Sequence, residues 1–122
     1  MIKIKRAYEE AKKSDGYRVL VDRLWPRGIK KEELDFDEWA KELSPSKELR
    51  QFFSHDKEKW RDFSSRFKKE LKSKDAKDKI LFLAKQAKKK NVTLIYSAKD
   101  EEYNNAVVLQ KIIEEEMKKL DE

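Results

Sequence analysis

The alternation of apolar and polar positions divides the chain into short strands and longer helices. Residues Ile2 to Tyr8 open as Ile2, Lys3, Ile4, Lys5, the period-two pattern of a half-exposed strand. Ser14-Asp15-Gly16 reads as a turn, with Gly16 able to take a positive φ. Tyr17 to Asp22 (YRVLVD) is rich in β-branched and aromatic residues. Within it Val19-Leu20-Val21 is apolar without alternation, as in a strand covered on both faces. Val92 to Tyr96 (VTLIY) repeats that signature. Arg23 to Asp37, holding Pro26 and Gly28, reads as a long loop. Phe36, Trp39, Ala40 and Leu43 are spaced for a helix, but the shortness of the segment and Pro45 behind it leave a strand open.

Helical periods fill most of the remainder. Ser46 is placed to cap a helix through Leu49, Phe52 and Phe53. Asp56 can cap the next, whose Trp60, Phe63, Phe67 and Leu71 recur at three- and four-residue intervals, as core positions do. A third helix is expected to start at Asp75 and end at Asn91, with Ala76, Ile80, Leu83, Ala84 and Ala87 on one face. A last helix from about Tyr103 to Leu120 carries Ala106, Val107, Leu109, Ile112, Ile113 and Met117. Buried strands separated by helices predict an α/β fold. The expected architecture is a small parallel or mixed sheet flanked by helices, three-layer and Rossmann-like, in a single domain over 1–122.

Composition narrows the chemistry. In 122 residues there is no cysteine, so no disulfide, thiolate metal site or thiol nucleophile; the single histidine, His55, argues against a multi-histidine metal centre. No metal and no cofactor is therefore expected. No run of about 18 apolar residues offers a membrane span, and MIKIKRAY lacks the apolar stretch of a signal peptide, so a cytoplasmic protein is expected. The oligomeric state leaves no mark in the sequence. Of the formal net charge of +6, the stretch from Arg66 to Lys90 holds 11 basic and 3 acidic residues, so the rest of the chain is slightly acidic. Those lysines suit the solvated faces of two helices. They also permit a second reading, a nucleic-acid-binding module that meets phosphates with the basic 66–90 face, although few aromatics are interleaved for base stacking.

In open α/β sheets ligands bind outside the carboxyl ends of the strands. That rule selects two stretches. The first is Asp22, Arg23, Leu24, Trp25, Pro26, Arg27 and Gly28, a loop shaped by one of the two prolines and one of the two glycines. Arg23 and Arg27 present guanidinium forks suited to carboxylate or phosphate, and Trp25 a flat ring. Alternatively, Asp22 pairs with an arginine across the sheet end while Trp25 plugs the core. The second stretch is Ser97, Ala98, Lys99 and Asp100, then Tyr103, Asn104 and Asn105 opening the last helix, whose N-terminus favours an anion. Asp100 either caps that helix or turns outward as a base or ligand contact. Asn104 and Asn105 are caps or polar contacts. His55 is a candidate general base or a packing residue between two helices. Ser97 and Ser44 have no evident histidine partner, which leaves a hydrolase triad without support. No glycine-rich loop points to a dinucleotide or P-loop site.

Taken in order, the strings YRVLVDRLWPRGIKKEEL, WAKELSPSKELRQFFSHD and VTLIYSAKDEEYNNAVVL, with a tryptophan and phenylalanine helix before the last, resemble the YeaO-like branch of the domain-of-unknown-function 488 family. The likeness runs from Ile2 to about Ile113. It implies a small cytosolic bacterial or archaeal protein with an α/β fold, in a family without a settled activity. It also implies that Asp22, Arg23, Trp25, Pro26, Arg27, Gly28, Lys41, Ser44, Pro45, His55, Asp56, Ser97, Lys99, Asp100 and Asn104 belong to the family pattern. Relatives are expected to carry alanine at Ser97 or its neighbour, which argues against a nucleophilic serine.

The function expected is binding of an anionic, phosphate-bearing small molecule, nucleotide-like, where the two loops converge. Arg23, Arg27 and Lys99 would supply charge, Ser97 and Asn104 hydrogen bonds, Trp25 a wall, and Asp22, His55 or Asp100 any proton transfer. Besides the nucleic-acid module, a non-enzymatic interaction protein is the other alternative. Whether the protein is an enzyme is left open.

Overall fold

In the computed structural model, which describes residues 1–121, four strands form one sheet. They are β1 (Ile2–Arg6), β2 (Tyr17–Leu20), β3 (Glu38–Trp39) and β4 (Val92–Tyr96), in the order β1-β4-β2-β3. Every neighbouring pair is parallel, which settles the choice between a parallel and a mixed sheet. Ile2 and Tyr17 both lie opposite Val92, so the strands start level and their carboxyl ends share one rim. The helices are α1 (Lys47–Phe53), α2 (Trp60–Glu70), α3 (Lys74–Ala87) and α4 (Asn105–Leu120).

Strand alternation sorts the core into two parts. Ile2, Val19, Val21, Val92, Leu94 and Tyr96 join residues of all four helices, among them Leu49, Phe63, Phe67, Leu83 and Leu109. On the other face Ala7, Leu20 and Ile95 meet Leu34, with Trp25, Ile29, Phe36 and Trp39 packed around them. Three layers are present, but helices supply only one of the outer two. The second is built from connecting segments with 3₁₀ turns at Lys13–Asp15 and Lys31–Glu33. The β1–β2 connection, residues 7–16, is shorter than the dozen or so residues a helical crossover needs, so it crosses as a loop. Beneath it lies a charged triad. Asp15, 4% exposed, accepts from Lys5 Nζ at 3.0 Å and Arg18 NH1 at 2.5 Å, and its carbonyl takes the Thr93 hydroxyl at 2.7 Å.

Several helix ends differ from the pattern-based expectation, each for a local reason. Ser46 caps α1 as expected, its Oγ accepting from the Leu49 amide. Asp56 caps a 3₁₀ turn, Lys57–Lys59, that leads into α2. α3 is capped by Ser73, not Asp75, because the Ser73 hydroxyl takes the Ala76 N–H. α3 also stops at Ala87, ahead of Asn91. α4 begins at Asn105, two residues later than Tyr103, since Asn104 Oδ1 takes the Val107 N–H at 3.0 Å. The segment Phe36 to Leu43 is neither option alone: it forms the two-residue β3 and then a 3₁₀ turn, Lys41–Leu43. The basic run extends along the length of α3, which carries exposed Lys74, Lys77 and Lys85. Lys68, Lys69 and Lys72 lie before the start of α3 and Lys88–Lys90 beyond its end, and 14 helical residues separate them by about 20 Å. Among the described residues no helix is long and apolar enough to cross a membrane.

Candidate functional site

Parallel strands bring the ends of β2 and β4 side by side, and the two loops singled out by sequence meet there through Asp22 and Ser97. Asp22 Oδ2 accepts the Ser97 amide at 2.9 Å and the Ser97 hydroxyl at 2.6 Å. Asp22 Oδ1 accepts from Asn105 Nδ2 at 3.1 Å, and that amide also reaches the Val21 carbonyl at 3.2 Å. The carboxylate thus ties β2, β4 and the first turn of α4 together. Asp22 does not pair with an arginine, contrary to one of the readings above, because Ser97 and Asn105 already occupy both its oxygens.

Arg23, the next residue, is exposed, and its Nε lies 3.3 Å from the Pro45 carbonyl. Arg27 is exposed too, its carbonyl held at 2.8 Å by the Tyr8 hydroxyl. Lys99 is exposed on the β4 side. Among the described residues Arg23, Arg27 and Lys99 form no salt bridge. Trp25 is wedged edge-on between Phe36 and Trp39, both at 5.6 Å, and its indole N–H donates to the Ile29 carbonyl at 2.5 Å. Its ring holds the loop in shape as a plug on the second core. Trp39 in turn donates to the Asp22 carbonyl at 2.7 Å.

On the β4 side, Asp100 Oδ1 accepts the amides of Tyr103 and Glu102 at 3.0 and 2.9 Å. Those two bonds, with Lys57 at 3.8 Å and His55 nearby, hold its carboxyl below the ordinary carboxylate value. Asp100 therefore caps a turn upstream of α4, and the helix cap itself is Asn104. Asn104 is 3% exposed and spends both amide atoms, Oδ1 on Val107 and Nδ2 on the Asp100 carbonyl at 2.8 Å. Any ligand contact by Ser97 or Asn104 has to displace these internal bonds. His55 is exposed and follows Ser54, and both sit in the left-handed region with φ of 59° and 44°. Lys57, two residues on, stands 5.5 Å over the Tyr103 ring, which packs on Trp60. Ser44 donates to the Lys41 carbonyl at 2.6 Å and is buried.

One contributor escaped the sequence reading. Arg6 donates from Nε to the Ala98 carbonyl at 2.8 Å and from NH2 to the Ser97 carbonyl at 3.2 Å, and lies 4.9 Å over the Tyr8 ring. It thereby links the β4 end to the Tyr8–Arg27 contact. A signal existed: Arg6 falls on the Ile2–Ile4 side of the strand, where a charge must find partners. What the rim offers chemically is exposed cationic charge above a hydrogen-bonded base. Asp22 and Asp100 are both engaged internally, while Glu101 and Glu102 beside Lys99 are exposed.

Over residues 1–122 the chain matches the family described as the inactive DUF488-N3 subclade. It is 49% identical over 108 residues to the uncharacterized protein YeaO of Escherichia coli, covering 88% of this chain and 92% of that one. It is also 44% identical over 70 residues to the uncharacterized protein Rv3073c of Mycobacterium tuberculosis, covering 57% of this chain and 59% of that one. No solved structure matches. The order of strand-end motifs and the match along the full length agree, and the chain belongs to the YeaO-like branch of the domain-of-unknown-function 488 family.

Proposed function

We propose that the strand-end rim is a non-catalytic site for a small phosphate-bearing anion of nucleotide-like size, with Arg23, Arg27 and Lys99 as the charged contacts. One observation carries this reading: the Asp22–Ser97 clamp sets two cationic loops on a common rim while occupying the carboxylate that would otherwise neutralise them. Asp100 is committed in the same way to backbone amides. Exposed guanidiniums without a carboxylate partner suit phosphate, whose oxygens accept two parallel hydrogen bonds from one fork. Ser97, Asn104 and Trp25 then act as scaffold that fixes where the cations stand. The commitment of Asp22 and Asp100 to internal hydrogen bonds supports binding over proton transfer by either, and the description of the subclade as inactive points the same way. A thermal-shift series with inorganic phosphate, a sugar phosphate and a nucleoside triphosphate tests it. Wild type should be stabilised by the phosphate compounds, and Arg23→Ala and Lys99→Ala should respond less. A wild type indifferent to all three, or variants that respond equally, would remove the proposal.

A further inference from the structure

The opposite edge of the sheet, where the strands begin, has a different character. Three chain segments meet there. The Met1 amine donates to the Ala87 carbonyl at 2.5 Å and lies 3.4 Å from that of Lys90. Lys3 Nζ and Asn91 Nδ2 both donate to the Ser14 carbonyl, at 3.3 and 2.8 Å. Lys90 Nζ stands 5.2 Å above the Tyr17 ring. These contacts bring Lys3 and Lys90 to one pole, where Lys12, Lys13 and Lys89 neighbour Ser14 and Lys90 along the chain. None of them forms a salt bridge with a described residue. Several carboxylates near this end are paired: Asp15 lies buried against Lys5 and Arg18, Glu38 takes the Tyr17 phenol and Lys79, Asp121 pairs with Lys88, and Glu116 is 3.8 Å from Lys119, while Glu42, Asp75 and Asp78 line a pocket on the far side of Phe82. Beside the lysines, Phe82, 40% exposed, packs edge-on against Tyr17 with ring centroids 6.1 Å apart. The fold thus brings Tyr17, from outside the basic run, beside Phe82 within it.

We propose that this amino-end pole binds the phosphodiester backbone of single-stranded nucleic acid without regard to sequence. Lysines are point charges on flexible stems, suited to a backbone and not to reading base edges. At the border of the pole the Tyr17–Phe82 pair, with Lys90 over Tyr17, offers a face to an unstacked base. A lipid surface is a poorer match, because among the described residues the large exposed apolar side chains here are only Met1 and Phe82. β4 has five residues, so about 16 Å separates this surface from the Arg23–Lys99 rim, and the two proposals fail independently.

Fluorescence anisotropy with a labelled mixed-sequence oligonucleotide at about 50 mM salt tests it. The single strand should bind, and more tightly than the matching duplex. Lys13→Glu combined with Lys90→Glu should weaken binding by about tenfold or more and flatten the log–log salt slope by about two. Lys68→Glu with Lys69→Glu makes the same change in net charge before the other end of α3 and should leave affinity within about twofold. Matching melting temperatures for the two double variants would confirm that both are folded. No binding by wild type overturns the proposal, as do equal losses in both double variants, tighter binding of duplex, or equal capture by phosphatidylserine vesicles.

Discussion

Asp22 accepts two hydrogen bonds from a single residue, Ser97, which lies 75 positions further along the chain. The geometry makes the carboxylate a clamp across β2 and β4 at the edge where their hydrogen-bond ladder ends. Replacing Asp22 by alanine leaves the Ser97 amide unpaired and Asn105 with only the Val21 carbonyl, in a half-buried setting, at a cost of about 1–3 kcal/mol. Ser97→Ala removes only the hydroxyl contact and should cost roughly 1 kcal/mol. The double variant should fall short of the sum, because both changes break the same bond. Urea unfolding of the four proteins measures this; strict additivity would show that the clamp contributes nothing.

The clamp also shows what the sequence could and could not reveal. The strand-end rule located both loops, because β2 and β4 are read from unbroken apolar runs and parallel pairing follows from the helices between them. It could not say which side chains would be consumed internally. Asp22, Asp100 and Asn104 look like free polar groups in the chain, and each is spent on an amide or hydroxyl brought close by folding. Trp25 was legible as a plug or as a wall, and only Phe36 and Trp39 on either side decide for the plug. β3 was hard to read for another reason. Two residues carry no period, and Glu38 and Trp39 pair with Val19 and Leu20 because tertiary contacts hold them there.

Asp15 should dominate the acid limb of stability. Burial alone would raise its carboxyl, but the Lys12 amide and the Lys5 and Arg18 side chains outweigh it and hold the group below the ordinary value. A folded-state value below the unfolded one contributes stability that is complete above about pH 4 and lost as the pH falls through the lower folded value. Asp15→Asn strands two largely buried cations and should cost about 3–5 kcal/mol near neutral pH. Its stability profile should also be flatter than that of wild type below about pH 4. Chemical denaturation at several pH values would read both effects; a variant with the wild-type acid profile would contradict the assignment.

The two glycines should differ sharply on substitution. Both have positive φ, 66° at Gly16 and 82° at Gly28. A Cβ on Gly28 would meet nothing within 4 Å, so Gly28→Ala carries only the left-handed backbone penalty of about 1 kcal/mol. A Cβ on Gly16 would collide with the Asn91 carbonyl oxygen, which accepts the Tyr17 amide at 2.9 Å and starts the β2–β4 ladder. Gly16→Ala should therefore cost more than about 2 kcal/mol. Similar melting temperatures for the two variants would mean that the turn yields more easily than this packing allows.

Tyr17 predicts how the fold fails in alkali. Burial pushes its phenol up, and the hydrogen bond it donates to Glu38 at 2.8 Å adds to the effect, as does the charge of Asp37, bringing it to about 12. For an acid whose folded value is raised, stability is complete below the unfolded value near 10 and is lost as pH rises towards the folded one. Between about pH 10 and 12 the wild type should lose roughly 1–3 kcal/mol through this residue. Tyr17→Phe gives up the bond to Glu38 at neutral pH but should be less sensitive to alkali. Glu38→Gln removes the charge facing the phenol and should bring its ionisation to lower pH. Absorbance at phenolate wavelengths, followed through the alkaline range in all three proteins, separates these outcomes. If Tyr17→Phe retained every late-ionising phenol seen in wild type, Tyr17 would not be the group that resists.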